Sequence, residues 1–341
     1  INGLTIESQV QDGTGIDIEG GAPDLSDLAY VSEGENGGAF VMFGDGAGGT
    51  LRDSTSSGDI SFSGGASTLV TGVTLLASAG QSAPITWIDG RATTVRFIGN
   101  ELSTLAIEGG SPAFESNDIS GIDAFADAGV SAWAGADSTA TIRNNLIHDW
   151  SGSGVDVGGL FVIEGNTFRA NAAGVVVGPG AAATVTGNTI EDSRGPAISS
   201  QAGSRVNIVG NMLRSNAIGI QTTTDGSGDD LVPLGSSVLG IVDDNQLTDN
   251  TTAMDLDGSG QIISNNTITG GSAGIIVRGT SSPTLTGNTV SDTSGDGILI
   301  KAGSSSRVSG NSLCGNARNM TMEDGTQAEV RDNEYCAADV A

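Results

Sequence analysis

The chain has 341 residues, 54 of them Gly and 7 Pro, and its 40 acidic and 13 basic side chains give a formal charge of −27. The glycines follow no three-residue period, which excludes collagen, and Ile, Val and Leu recur too regularly for a solvated acidic tail. No run of about 18 apolar residues is present to span a membrane, and Lys301 is the only lysine, so cations to neutralise the phosphates of nucleic acid are too few.

The sequence opens at Ile1 with neither an initiator Met nor a charged-then-apolar leader, and it reads as a processed piece of a longer product. Residues 1–140 are expected to form irregular coils with loops at 20–38 and 44–58. Short β-rich runs stand at Ile1-Asn2-Gly3-Leu4-Thr5-Ile6, Thr71-Gly72-Val73-Thr74-Leu75 and Gly99-Asn100-Glu101-Leu102. Most aromatics fall in or near this stretch: Phe40, Phe43, Phe62, Phe97, Phe114, Phe125, Trp87 and Trp150 are expected in core or cap. Trp133, in Ser131-Ala132-Trp133-Ala134-Gly135, is the aromatic best placed to protrude and stack on a sugar.

From residue 141 a repeat takes over. An Asn followed two residues later by a large apolar residue recurs at Asn145, Asn166, Asn188, Asn211, Asn245, Asn266, Asn288, Asn311 and Asn333. Each period holds three short runs: one leading into the Asn (Thr184-Val185-Thr186), one after it (Thr189-Ile190-Glu191), and a third such as Gly297-Ile298-Leu299-Ile300. Three strands in about 22 residues predict a coil, and stacked coils pair strand on equivalent strand in parallel. Val185, Ile190, Ile198, Leu213, Ile268, Ile298 and Leu313 are then inside. The Asn suits a left-handed bend and, stacked, a ladder of amide hydrogen bonds. A second small-polar column follows five residues later at Asn171, Ser193, Asn216, Asn250, Thr293 and Asn316.

This repeat resembles that of the right-handed parallel β-helix superfamily of pectate-lyase-like proteins, with their carbohydrate-binding and sugar-hydrolase repeats. The resemblance is clear over 141–341 and implies one continuous all-β solenoid. The superfamily holds lyases, hydrolases, epimerases, tailspikes and adhesins, so the repeat leaves function open. The enzyme signatures that the resemblance brings to mind are missing: the pectate-lyase Asp-His strand, the polygalacturonase acid set and the epimerase Asp-Pro-His-Glu.

Four features carry candidate chemistry. Cys314 and Cys336 occupy one column of adjacent coils, about 4.8 Å apart, within disulfide reach. Such a bond would close the C-terminal end and places the chain in an oxidising, extracellular setting. On the third strand Asp257, Arg278, Lys301 and Glu323 form an outward column, with Asp255 two residues before Asp257. Asp255, Asp257, Arg278 and Lys301 are the types a lyase uses to hold Ca²⁺ and abstract a proton, and equally those of a solvated ladder of cross-strand charges. An insert near 223–235 spaces Asp225, Ser227, Asp229 and Asp230 as oxygen ligands for Ca²⁺, and reads equally as a surface loop. His148, the single histidine, is expected to point outward beside Arg169 as an exposed bystander.

The favoured expectation is an extracellular, non-catalytic β-solenoid: a surface, adhesin-like or filament-building module binding polysaccharide, cell-surface glycan or further copies of itself. It requires no cofactor, Ca²⁺ being the one candidate. The alternative is a Ca²⁺-assisted polysaccharide lyase of acidic glycans, against which the charge of −27 stands, since it repels polyuronates.

Overall fold

The computed structural model describes residues 1–8, 14–32, 38–76, 84–90, 93–121, 128–132, 139–224 and 237–336. It divides into two units, Ile1–Thr167 and Phe168–Ala341. Both are right-handed parallel β-solenoids built from three-strand coils.

In the second unit the expected grammar holds strand for strand. Ala182–Thr186, Thr189–Glu191 and Pro196–Ser200 form one coil. Each pairs in parallel with its equivalent one coil on, Val185 facing Ile208, Ile190 facing Leu213 and Ile198 facing Ile220. Alternation then sends every second residue inward. Val185, Ile190, Ile198, Leu213, Ile268, Ile298 and Leu313 are all fully buried, so aliphatic columns run through the coil interior.

The first unit is built the same way, with longer and less even coils. Strands Asp24–Ser26, Ala29–Ser32, Gly48–Arg52 and Thr55–Ser56 run through the stretches where loops are expected. Leu25, Leu28, Tyr30 and Leu51, spaced among small residues, supply the inward column that makes strands there. Phe40, Phe43, Phe62, Phe97 and Phe114 are buried, with Phe43 stacked on Phe62 and Phe97 on Phe114. Trp150 is buried too, and its indole N–H donates to the Ile119 carbonyl at 3.2 Å. Phe125 and Trp133 lie outside the described residues.

The Asn ladder is continuous within each unit. Asn100 donates through Nδ2 to Asn117 Oδ1 at 2.8 Å, Asn117 to Asn145 at 2.9 Å, and Asn145 to Asn166 at 2.9 Å. In the second unit Asn188, Asn211, Asn245, Asn266, Asn288, Asn311 and Asn333 are linked the same way at 2.9–3.0 Å. A shorter ladder joins Asn216 to Asn250 and Thr293 to Asn316. One detail differs from the sequence expectation. Among the described residues no ladder Asn is left-handed; the residue before it is, as at Asn144, Asp244 and Asn265 (φ 53–55°) and at Gly187 and Gly287. Bending one residue early turns the Asn side chain inward, where its amide serves as a rung.

Candidate functional site: the outer face of the third sheet

The third strand of each coil leaves its outward side chains in straight columns. In the second unit the middle column runs Val176, Ser199, Gln221, Asp255, Ile276, Leu299, Thr321. Two residues further along each strand, Asp257 faces Arg278, and Lys301 follows Ile300, which faces Met322. The structure therefore brings Asp255, Asp257 and Arg278 together. Arg278 Nε lies 2.8 Å and Nη2 3.3 Å from the two oxygens of Asp255, while Nη1 lies 2.6 Å from Asp257 Oδ2. One guanidinium thus neutralises two carboxylates, each about one-fifth exposed. Its fork is spent on that bidentate grip. Lys301 stands apart: among the described residues it has no ion pair, and Glu323, next in its column, accepts the Ala302 N–H at 3.1 Å.

A cation would need six to eight oxygens around it. Among the described residues no group of three or more His, Cys, Asp or Glu is placed to hold a metal ion. Asp225, Ser227, Asp229 and Asp230 lie outside the described residues.

The same sheet in the first unit carries a different set, which the sequence pattern did not single out. Its middle column runs Met42, Ser61, Trp87, Ala106, Ser131, Asp156. Trp87 points outward, partly exposed, rather than into core or cap. Asp59, one coil earlier, has its carboxyl beside the Trp87 side chain and accepts the Ile85 N–H at 2.7 Å. Burial pushes the Asp59 carboxyl above the usual range, and the Ile85 N–H and the neighbouring Trp87 side chain offset part of the rise. Burial alone raises the Asp156 carboxyl. No signal in the sequence marks this: the polar Thr86 in Ile85-Thr86-Trp87-Ile88 would be expected outward and Trp87 inward, whereas Thr86 and Ile88 are fully buried and Trp87 faces out.

His148 differs from the exposed bystander expected. Its Nε2 lies 2.8 Å from Asp118 Oδ1 and its Nδ1 2.6 Å from Asp149 Oδ2, with 18% of the side chain exposed. Burial alone would lower its pKa, but hydrogen bonds to Asp149 and Asp118 and their charges outweigh it and the net direction is upward. With both ring nitrogens occupied by carboxylates, the imidazolium is a clamp, not a free base.

Cys314 and Cys336 are joined by a disulfide, Cα to Cα 4.8 Å, between the last two coils.

The sequence pattern described as right handed beta helix region matches residues 103–229 and 224–336. No curated protein matches the chain in sequence. In structure it is similar to the periplasmic alginate epimerase AlgG, with a TM-score of 0.57 and 13% identity over 91% of this chain and 77% of that one. It is also similar to the catalytic unit of a thermostable GH87 alpha-1,3-glucanase from Streptomyces thermodiastaticus, with a TM-score of 0.50 and 14% identity over 96% of this chain and 64% of that one. At such identities the likeness is one of fold.

Proposed function

The chain belongs to the right-handed beta helix family, and from that premise we propose that it is an exported, non-catalytic solenoid whose third-sheet face binds glycan. The observation that carries the non-catalytic reading is the grip of Arg278 on Asp255 and Asp257. A lyase needs open carboxylate oxygens for a cation and a cationic side chain free to take a proton. Here the acids and the guanidinium satisfy one another, and the network is a cross-strand brace. Export is supported by the Cys314–Cys336 disulfide, since such bonds persist in oxidising compartments. Glycan binding is supported by the outward Trp87, an aromatic face on the same sheet.

The test is a lyase assay on alginate and polygalacturonate, with and without Ca²⁺, following the ultraviolet absorbance of unsaturated products. We expect none. One observation favours the alternative of a Ca²⁺-assisted lyase of acidic glycans: Lys301 is unpaired among the described residues and could serve as the base. A Ca²⁺-dependent rise in absorbance that Lys301→Ala abolishes would make the chain an enzyme and overturn the first reading.

A further inference from the structure

Resting on the glycan-binding reading above, we propose that the first unit's third-sheet face, from Asp59 through Trp87 to Asp156, is the subsite and that it selects an uncharged polysaccharide over a polyuronate. Register sets the geometry. Asp59 is on the strand before Trp87; Ala106, Ser131 and Asp156 follow in the same column, one coil apart each. Trp87 to Asp156 is three coil spacings, roughly 14 Å, the span of a short oligosaccharide.

The residue types divide the work of sugar recognition. The indole face offers a flat apolar surface to the C–H face of a sugar ring. Trp87 stands one coil after Asp59 on the same outward face, its ring carried by a strand whose alternate residues Thr86 and Ile88 are fully buried. Ala106 and Ser131 are the small residues next in the column, Ala106 buried and Ser131 part-exposed. Asp156 ends the run, and among the described residues its carboxyl has no hydrogen-bond or ion-pair partner. A carboxyl without a partner accepts hydrogen bonds from hydroxyls, the groups a sugar presents in abundance.

Charge decides the class of sugar. The third-sheet strands of this unit, from Ile16–Ile18 to Ser153–Val157, contain no Lys or Arg, while Asp17, Asp59 and Asp156 all lie on them. Asp89 and Glu108, each just past its strand, add to the same sign. A uronate would place a carboxylate against these acids with no cation on these strands to answer it, and like charges across an interface are strongly rejected. An uncharged sugar brings only hydroxyl donors.

The experiment is isothermal titration of the whole chain, without Ca²⁺, against laminarin, galactomannan and xylan as uncharged probes and against alginate and polygalacturonate as polyuronates. Variants are Trp87→Ala, Trp87→Phe and Asp156→Asn, each checked for unchanged circular dichroism. We expect at least one uncharged probe to bind, neither polyuronate to compete, and Trp87→Ala to weaken binding about tenfold or more. Trp87→Phe, which keeps an aromatic face, should retain most of the affinity. Asp156→Asn should weaken it without altering the fold, and serves as the test if Trp87→Ala does not fold. Uncharged binding untouched by Trp87→Ala and Asp156→Asn would overturn this subsite while leaving the glycan reading standing. Preferential binding of a polyuronate, lost in Trp87→Ala, would overturn the ligand class. No binding to any probe would overturn both this proposal and the reading it rests on.

Discussion

Arg278 and Lys301 sit in one column on neighbouring coils, yet their replacement should have different consequences. Lys301→Ala removes a part-exposed charge without an ion-pair partner and should cost under ~1 kcal/mol. Arg278→Ala leaves Asp255 and Asp257 side by side, largely shielded from water and unneutralised. Hydrogen bonds to charged groups contribute about 1.5–3 kcal/mol each when buried, so with one-third of Arg278 exposed we expect a loss of about 1–2 kcal/mol. Urea denaturation of the two variants should separate them. His148 gives a pH signature. Its folded pKa is raised, so the clamp between Asp118 and Asp149 contributes fully below the unfolded value near ~6.5 and is lost as pH rises through the folded value. The difference in Tm between the natural chain and His148→Gln should therefore shrink from about pH 5 to about pH 9. A difference that grows with pH would mean that the ring is clamped as the neutral form.

At the scale of the element, the coil depends on rungs as much as on apolar columns. Asn266 gives its backbone N–H and Nδ2 to Asn288 Oδ1 and a further Nδ2 bond to the Val242 carbonyl, and its own Oδ1 accepts twice from Asn245. Asn266→Ala strips partners from buried groups on both neighbouring coils. Each orphaned group costs about 1–3 kcal/mol, and we expect a loss of about 3 kcal/mol, against under ~0.5 kcal/mol for Thr267→Ala on the exposed face. Comparable losses from the two would show that the amides find other partners. Inserting one residue between Asn266 and Ile268 should be worse, since it sends Ile268 outward and breaks the rung at once. Much of this element was legible in the sequence because the ladder Asn and the inward aliphatic recur at a near-constant interval. Asn117 escaped notice because it lies 17 residues after Asn100 and 28 before Asn145, outside any fixed period. The Arg278 brace is legible in the sequence as one of two readings, a ladder of cross-strand charges, without its pairing. Which guanidinium nitrogen meets which carboxylate depends on rotamers that no spacing specifies. Trp87 is expected in core or cap because aromatics usually are and its neighbour Thr86 is polar; that Thr86 is the buried one shows only in the structure.

For the whole molecule, the charge of −27 spread over 341 residues should make self-repulsion a main electrostatic cost of folding. Added NaCl screens it, with a Debye length of about 10 Å at 0.1 M. We expect Tm to rise as NaCl increases at neutral pH; a fall would show that braces such as Arg278 with its two aspartates outweigh the repulsion. The ladder described above has a further consequence for how the second unit assembles. Its rungs from Asn245 onward join residues 21 to 23 positions apart, whereas the rung from Asn211 to Asn245 joins residues 34 apart. Nearly every long-range contact is thus made to the adjacent coil, and a growing stack meets the same modest loop closure at each step. Growth of that kind has no single nucleus fixed by topology, and each finished coil is the template for the next. The Asn211–Asn245 step is the one that closes a longer loop, so in pulsed hydrogen exchange the amides on its two sides should gain protection as separate blocks, with the boundary at that rung.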